Sequence, residues 1–383
     1  MNAPKLRFKE FNDEWKKAQI SSFVNINPKN DSLPEKFLYI DLESVNNGLL
    51  TSRKVINKSE APSRAQRTIV KNDILYQTVR PYQMNNLFIN RLDSDYPYIA
   101  STGYALLRTE ENPYFVYSIL YQKAFVNKVL NMCTGTSYPA ISANDLGTIF
   151  VCLPSIREQE KISRTLELLD KKIELQSKKI EDLKLFKKGL INSIGKNIEI
   201  EKIPLKNILA EQNHKTIKNN EYEILSSTSK GIYLQKDYFN KQAASDNNVG
   251  YKILKKNQLV LSPQNLWMGN ININSKYNIG IVSPSYKIFD INNNIDIDFF
   301  DYWIKSPKAL YEYKISSEQG ASIVRRNLNM DLFYEIKVDI PKGKMQNKLG
   351  KIIKLLNLKI QYNENSLQKL QELKKGLMQN MFV

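Results

Sequence analysis

Residues 153–194 and 340–381 are copies of one another, aligned without a gap at an offset of 187, the step from Pro154 to Pro341. Gln159 falls on Gln346, Leu168-Leu169 on Leu355-Leu356, Lys172-Ile173 on Lys359-Ile360, and Lys187-Lys188-Gly189-Leu190 on Lys374-Lys375-Gly376-Leu377. In each copy the apolar residues step by threes and fours: Ile162, Leu166, Leu169, Ile173, Ile180 and Leu183 in the first, Leu349, Ile353, Leu356, Ile360, Leu367 and Leu370 in the second. That spacing predicts a long helix with a coiled-coil seam. A stripe of this kind has to be covered, and two in one chain can cover each other; docking of each on its own globular domain is the alternative. Gln176 and Asn363 interrupt the two seams at the same level, and a buried polar pair there would fix register at some cost in stability.

A chain built twice around such helices has room for two globular parts. The repeat divides its 383 residues into a globe at 1–152, a helix at 153–196, a second globe at 197–339 and a closing helix at 340–383. The expected fold class is α+β: two globular α+β domains separated by two long helices that form an antiparallel coiled coil, with a pseudo-two-fold internal repeat. Antiparallel packing follows from connectivity, since the second globe lies between the helices in sequence and two-fold packing places the globes at opposite ends. Roughly 40 helical residues at about 1.5 Å each make a rod near 60 Å, against about 34 Å for one turn of duplex DNA.

The net charge of +17 directs attention to polyanionic partners. The sequence shows no apolar run near 18 residues, no signal peptide at its start and no lipidation pattern at Met381-Phe382-Val383, so a cytoplasmic protein without membrane attachment is expected. Cys133 and Cys152 lie in different segments, which suits a reducing compartment and excludes a thiolate metal cluster.

Taken in order, residues 1–15 read as a basic arm anchored by Phe8, Phe11 and Trp15. Strands are expected at Ala18–Val24 and Phe37–Leu42, followed by turn chemistry at Asn46-Asn47-Gly48. Ser52–Lys71, with Arg53, Lys54, Arg64 and Arg67, reads as an exposed basic loop able to meet nucleic acid, or simply as a solvated face. After a core strand at Asp73–Tyr76 comes a polar-aromatic run containing Arg80, Tyr82, Gln83 and Asn85. Arginine and amide side chains can make paired hydrogen bonds to guanine and adenine edges, so this run is a candidate reader of bases. Tyr98–Ser101 and Tyr104–Arg108 are expected to pair about Thr102-Gly103, and Pro113 to open one amphipathic helix through Leu130. Thr136, Ser137 and Tyr138 lie in a tight loop before a strand at Thr148–Leu153.

The second half restates this plan at an offset near 185, Lys71–Leu75 over Lys256–Val260 and Gly135 over Gly320. Its loop carries Gln264, Asn265 and Trp267, and Ser322, Arg325 and Arg326 follow Gly320. A helix over Asp298–Ser316, interrupted at Pro307, matches the Pro113 helix. Helices that match closely beside globes that diverge in their loops suit one shared task for the helices and separate targets for the globes.

At Leu153-Pro154-Ser155-Ile156-Arg157-Glu158-Gln159, and at the closing Leu185-Phe186-Lys187-Lys188-Gly189-Leu190, the chain resembles the specificity subunit of a type I restriction-modification system. The closing signature returns at Leu373–Phe382, while the opening one survives in the second copy only as Pro341 and Gln346, with Met345 in place of the glutamate. The resemblance spans essentially the whole chain. It implies a non-catalytic subunit that recognises a gapped target in double-stranded DNA and recruits two methyltransferase subunits, with restriction subunits joining them. No cofactor would belong to this chain; S-adenosylmethionine, used on adenine N6, is expected in the methyltransferases, and ATP and Mg in the restriction subunits. Glu158, Gln159, Lys187, Lys188, Gly189 and Leu190, with Lys374, Lys375, Gly376 and Leu377, are the candidate docking residues.

Catalytic motifs are missing. The sequence has no Gly-x-x-x-x-Gly-Lys-[Ser/Thr] phosphate loop. Asn112-Pro113-Tyr114-Phe115 is one proline short of an adenine-methyltransferase motif and opens a helix instead. His214 is the only histidine and has no evident nucleophile beside it. A self-sufficient methyltransferase-nuclease and a coiled-coil RNA-binding scaffold are the alternative functions.

Overall fold

The computed structural model describes residues 3–29, 32–196, 198–238, 247–319 and 325–383, without the side chains of 192–196 and 238. It divides into two compact units, one of Met1–Lys178 with Asn365–Val383, the other of Lys179–Glu364. Each long helix contributes a part to both.

The first unit begins with β1 (Lys16–Gln19), β2 (Val24–Ile26), β3 (Lys36–Ile40), a small hairpin of β4 (Val45–Asn46) and β5 (Leu49–Leu50), and β6 (Lys54–Asn57). It continues through β7 (Ala65–Ile69), β8 (Ile74–Gln77), β9 (Leu87–Phe88), β10 (Tyr98–Ser101) and β11 (Tyr104–Thr109). Then come α1 (Pro113–Ile119), α2 (Lys123–Met132), α3 (Ala143–Thr148), β12 (Phe150–Leu153) and the long α4 (Ile156–Lys196). One antiparallel sheet has the order β2-β11-β8-β9 and the other β6-β3-β10-β7, in which β10 runs parallel to β3; β1 pairs with β12.

The second unit has β13 (Ile200–Pro204), β14 (Leu209–Gln212), β15 (Leu225–Thr228), β16 (Gly231–Leu234), α5 (Gln235–Tyr238), β17 (Lys252–Lys255), β18 (Leu259–Leu261) and β19 (Ile271–Ile273). These are followed by β20 (Ile279–Val282), β21 (Lys287–Ile291), α6 (Ile297–Trp303), α7 (Pro307–Ile315), β22 (Ser317–Gln319), β23 (Arg326–Leu328), α8 (Met330–Glu335), β24 (Lys337–Pro341) and the long α9 (Met345–Asn380). Its principal sheet, β14-β21-β18-β19, repeats the order of β2-β11-β8-β9, and β13 pairs with β24 as β1 does with β12.

The repetition extends to single hydrogen bonds. Asn72 and Asn257 both turn the chain in the left-handed region, at φ 72 and φ 65, a conformation asparagine tolerates better than most residues. Asp73 accepts from the Val70 amide at 2.7 Å, and Gln258 accepts from the Lys255 amide at 2.7 Å. Asn112 caps α1 through the Phe115 amide, with Pro113 in the first turn, where its missing N–H is not needed; Asp296 caps α6 through the Phe299 amide. Gln159, on the first turn of α4, accepts from the Asn112 amide at 3.3 Å, and Gln346, its copy on α9, accepts from Asp296 at 3.1 Å. Beside that clamp Ser163 donates to Asn112 at 2.7 Å, whereas its copy is Gly350, where a Cβ would stand 2.0 Å from the Asp296 carboxylate. The glycine leaves the space that the Asp296 carboxylate occupies.

Within each unit the two long helices run antiparallel. In the first, Asp170 of α4 meets Lys374 of α9 at 2.5 Å, and Ile162 and Leu166 share a core with Leu377, Met378, Met381 and Phe382. In the second, Lys184 meets Glu364 at 2.7 Å and Lys187 donates to Asn357 at 2.6 Å. The seam residues Ile162, Leu166, Leu169, Ile180, Leu349, Ile353 and Ile360 are buried. Asn363 is buried too and donates to its own helix at the Lys359 carbonyl, 2.6 Å away; Gln176 is half-buried and belongs to the other unit.

Three local expectations are corrected. Ser52–Lys71 is not one exposed loop: β6 and β7 run through it, because Ile56, Ala65 and Ile69 are buried in the sheet. The strands flanking Thr102-Gly103 do not pair with each other; β10 joins β3 and β7 while β11 joins β2 and β8, so the turn carries the chain from one sheet to the other. The helix opened by Pro113 is two helices, broken at residues 120–122, where Leu120 turns into the core.

Candidate nucleic-acid interface

The loop after β8 is held from inside. Gln77, buried, donates to the Val79 carbonyl at 2.8 Å and to Gln83 Oε1 at 2.9 Å, and its own Oε1 accepts from the Asn85 amide at 3.1 Å. Its backbone amide donates to Asn86 Oδ1 at 2.9 Å, and the Asn86 carbonyl accepts from the Tyr121 hydroxyl at 3.1 Å. Arg80 and Met84 bracket a short helical turn in the left-handed region, at φ 54 and φ 52. A non-glycine residue persists there only when its surroundings impose it. The result is a fixed loop whose exposed side chains are Tyr82, Gln83 and Met84.

The loop of Thr136, Ser137 and Tyr138 lies against it. Thr134 and Ala140 exchange backbone hydrogen bonds of 2.9 Å to close this second loop, and the Arg80 amide donates to the Pro139 carbonyl at 2.7 Å. The Arg80 guanidinium stands over the Tyr138 ring at 4.2 Å. So Arg80, Tyr82, Gln83, Thr136, Ser137 and Tyr138 form one surface, with Asn85 behind it, spending its Oδ1 on the Asn47 amide at 3.1 Å.

The basic residues of 52–71 sit on or beside the β6-β3-β10-β7 sheet. Lys54 lies on β6 and Arg67 on β7, opposite edges of the same sheet, with Arg64 just before β7. Arg53 makes a two-pronged ion pair with Asp93, both bonds 2.9 Å, which holds that carboxyl down at about 2. Arg67 is half-buried with an unpartnered Nε, and desolvation pushes its guanidinium below the usual range.

The second unit builds its surface on the same plan from other side chains. Arg326 donates its amide to the Gln264 carbonyl at 3.1 Å, so the loop after β18 lies against β23 as the Arg80 loop lies against Pro139. The Arg326 side chain is consumed by this junction, bonding Ser317 Oγ at 2.9 Å and the Ser317 and Lys314 carbonyls. Gln264 and Arg325 are exposed, Asn265 and Trp267 half-buried. Ser322 and Gly320 lie outside the described residues.

The docking candidates divide sharply. Glu158 and Gln159 are each 1% exposed. Glu158 takes both prongs of Arg7 at 2.8 Å, and Gln159 clamps the α1 cap and donates to Glu111 at 2.8 Å, so neither side chain can face a partner. Lys187 and Lys374, expected to point outward, are spent on Asn357 and Asp170, which are themselves copies of each other at the offset of 187. Leu190 is half-buried and Leu377 packs on the first unit's core. Lys188, Lys375 and Gly189 are exposed, and neither Gly189 nor Gly376 has any atom within 4 Å of the place a Cβ would take.

Sequence periodicity passed over one exposed stripe. Leu168 and Leu175 lie seven residues apart on α4, 61% and 59% exposed, and their copies Leu355 and Tyr362 on α9 are 66% and 73% exposed. The doubled Leu168-Leu169 and Leu355-Leu356 were the available signal: one leucine of each pair serves the seam and the other cannot.

Among the described residues no group of three or more His, Cys, Asp or Glu could hold a metal ion, and no helix is long and apolar enough to cross a membrane.

A family model described as the type I restriction modification DNA specificity domain matches residues 12–185. The chain is thus similar to the specificity subunits of type I restriction-modification systems over 174 of its 383 residues. It is 25% identical over 188 residues to the HindI specificity subunit of the type I restriction enzyme of Haemophilus influenzae, a match covering 47% of this chain and 40% of that relative's length. The crystal structure of the type I restriction-modification S subunit from M. genitalium superposes with a TM-score of 0.62 at 19% identity, covering 100% of this chain and 99% of the other. A chain from a study of assembly and conformational transition in the type I restriction-modification system superposes with a TM-score of 0.50 at 15% identity, over 95% of this chain and 96% of its own.

Proposed function

We propose that this chain is the sequence-reading, non-catalytic subunit of a type I restriction-modification complex, binding double-stranded DNA at a target in two parts with an unread gap between them. The observation that carries the proposal is the contrast between what the duplication preserves and what it alters. Strand order, the left-handed asparagine turn and the glutamine clamp at Gln159 and Gln346 recur in both units. The loop side chains do not: Arg80, Tyr82 and Tyr138 in one, Gln264, Asn265 and Trp267 in the other. A common frame with unlike loops is what two readers of different half-targets require, because phosphate contacts position a protein on DNA while side chains at base edges choose the sequence.

In this reading the paired stripes Leu168–Leu175 and Leu355–Tyr362, with Lys188, Gly189, Lys375 and Gly376, receive two methyltransferase subunits, one on each copy. Restriction subunits join them. Methyl transfer from S-adenosylmethionine to adenine N6, and cleavage driven by ATP and Mg, are the work of those partners in the cytoplasm.

The test is to map modified adenines in cells that express this chain with its methyltransferase, then to repeat the mapping after residues 16–150 are exchanged for those of another specificity subunit. A bipartite motif in which one half alone changes is the expected result. An unbroken motif, or a change in both halves, would refute the proposal.

A further inference from the structure

We propose that Arg80, stacked on Tyr138, reads a guanine in the half-target of the first unit. The inference rests on the DNA-reading function above and assigns a base and an atom to one side chain. Three observations converge on it.

The fold neutralises three other arginines of this unit. Arg7 is paired in two-pronged fashion with Glu158, Arg53 with Asp93 and Arg108 with Asp73. Arg80 has no such carboxylate: among the described residues its guanidinium touches the face of Tyr138 and donates no hydrogen bond. Stacking fixes the plane of the guanidinium and leaves its N–H edge open, which is the requirement for a fork that bonds two acceptors at once.

The backbone beneath it is imposed. Arg80 sits at φ 54 and ψ 54, where a side chain is disfavoured, and glycine would be the unstrained choice. The loop is locked on both flanks by Gln77 and Asn86, each 1% exposed. Strain retained at a half-buried residue whose guanidinium makes no hydrogen bond points to a task for the side chain.

The surroundings suit a groove floor. Tyr138 is 63% and Tyr82 49% exposed, and Thr136 and Ser137 lie beside them. Guanine alone presents two adjacent acceptors, N7 and O6, in the major groove, and a planar donor fork matches them. A phosphate could also accept from this fork, so the experiment has to separate a base from the backbone.

The full chain, assembled with its methyltransferase, is first used to select its target from random-sequence duplexes. Each guanine of the selected target is then replaced in turn by 7-deazaguanine, which lacks N7, and binding is compared for wild type, Arg80→Gly and Arg80→Lys. Glycine removes the side chain while relieving the backbone, so the loop keeps its shape. The expected result is a single guanine, in one half of the target, whose N7 is worth on the order of tenfold in affinity to wild type and nothing to Arg80→Gly. Arg80→Lys keeps the charge and loses most of that discrimination, and the other half of the target is unaffected. A uniform loss on all duplexes in Arg80→Gly, with the salt slope reduced by about one and 7-deazaguanine sensitivity retained, would assign Arg80 to a phosphate and overturn the inference. A wild-type complex that selects no sequence would instead overturn the proposed function itself.

Discussion

Arg7 and Glu158 show how much a single buried pair can decide. The carboxylate is 1% and the guanidinium 15% exposed, so removal of the arginine strands a charge in the core. Arg7→Met is expected to destabilise the first unit by about 3–5 kcal/mol in denaturant unfolding. The second copy has already dispensed with this charge, since Met345 stands where Glu158 would be. Arg7→Met combined with Glu158→Met should therefore recover most of the loss, and a double variant no better than the single would contradict a pairwise origin. Gly376 is the opposite case, a helical glycine with nothing within 4 Å of a Cβ position. Gly376→Ala is expected to raise the stability of the isolated chain by about 0.5–1 kcal/mol. A fall in the unfolding midpoint would mean that the open space is not what it looks like.

At the level of elements, the loop after β8 depends on side chains from two directions. Asn86 satisfies the Gln77 amide, and Tyr121 holds the Asn86 carbonyl from α1–α2. Asn86→Ala leaves a buried N–H unpaired, at a cost of about 1–3 kcal/mol, and should relax sequence preference in the first half-target alone. Calorimetry of the chain and selection of targets by the variant complex measure the two effects separately. A further chain of contacts ties this region to the long helices: Lys374 bonds Asp170, Asp170 accepts from Tyr114, and the Tyr114 ring lies 5.4 Å from Phe88 on β9. The corresponding position in the second unit carries Asn357 in place of Asp170, so Lys187 meets a neutral acceptor.

For the molecule as a whole, the last residues of the chain complete the unit that contains the first. Phe382 stacks on Phe115 with centroids 5.2 Å apart and meets Trp15 edge-on, and Met381 is buried beside them. Phe382→Ala should cost about 3–5 kcal/mol, expressed in the first unit and not in the second, which hydrogen exchange resolves unit by unit. Charge acts at the same scale. With a net charge of +17, DNA binding should weaken on the order of a thousandfold between 50 and 200 mM salt if about six phosphates are engaged. A flat response would remove the electrostatic part of the account.

What the sequence determined by itself was the doubling, the two long helices and their seams, and the loops that carry the candidate readers. These rest on local rules: a three-four apolar period, a proline in a first turn and an asparagine in a turn act over a few residues and leave their marks in order along the chain. Which charges are free was decided only by tertiary structure. Arg53 finds Asp93, Arg7 finds Glu158, and Lys374 finds Asp170, each across a separation in sequence that no local pattern encodes. Ser52–Lys71 reads as solvated for the same reason, since its apolar residues are few and their partners on β3 and β10 lie elsewhere in the chain. Arg80 became distinct from Arg7, Arg53 and Arg108 only once the fold had paired those three and left it on Tyr138, because whether a charge is available depends on the partners that folding brings to it.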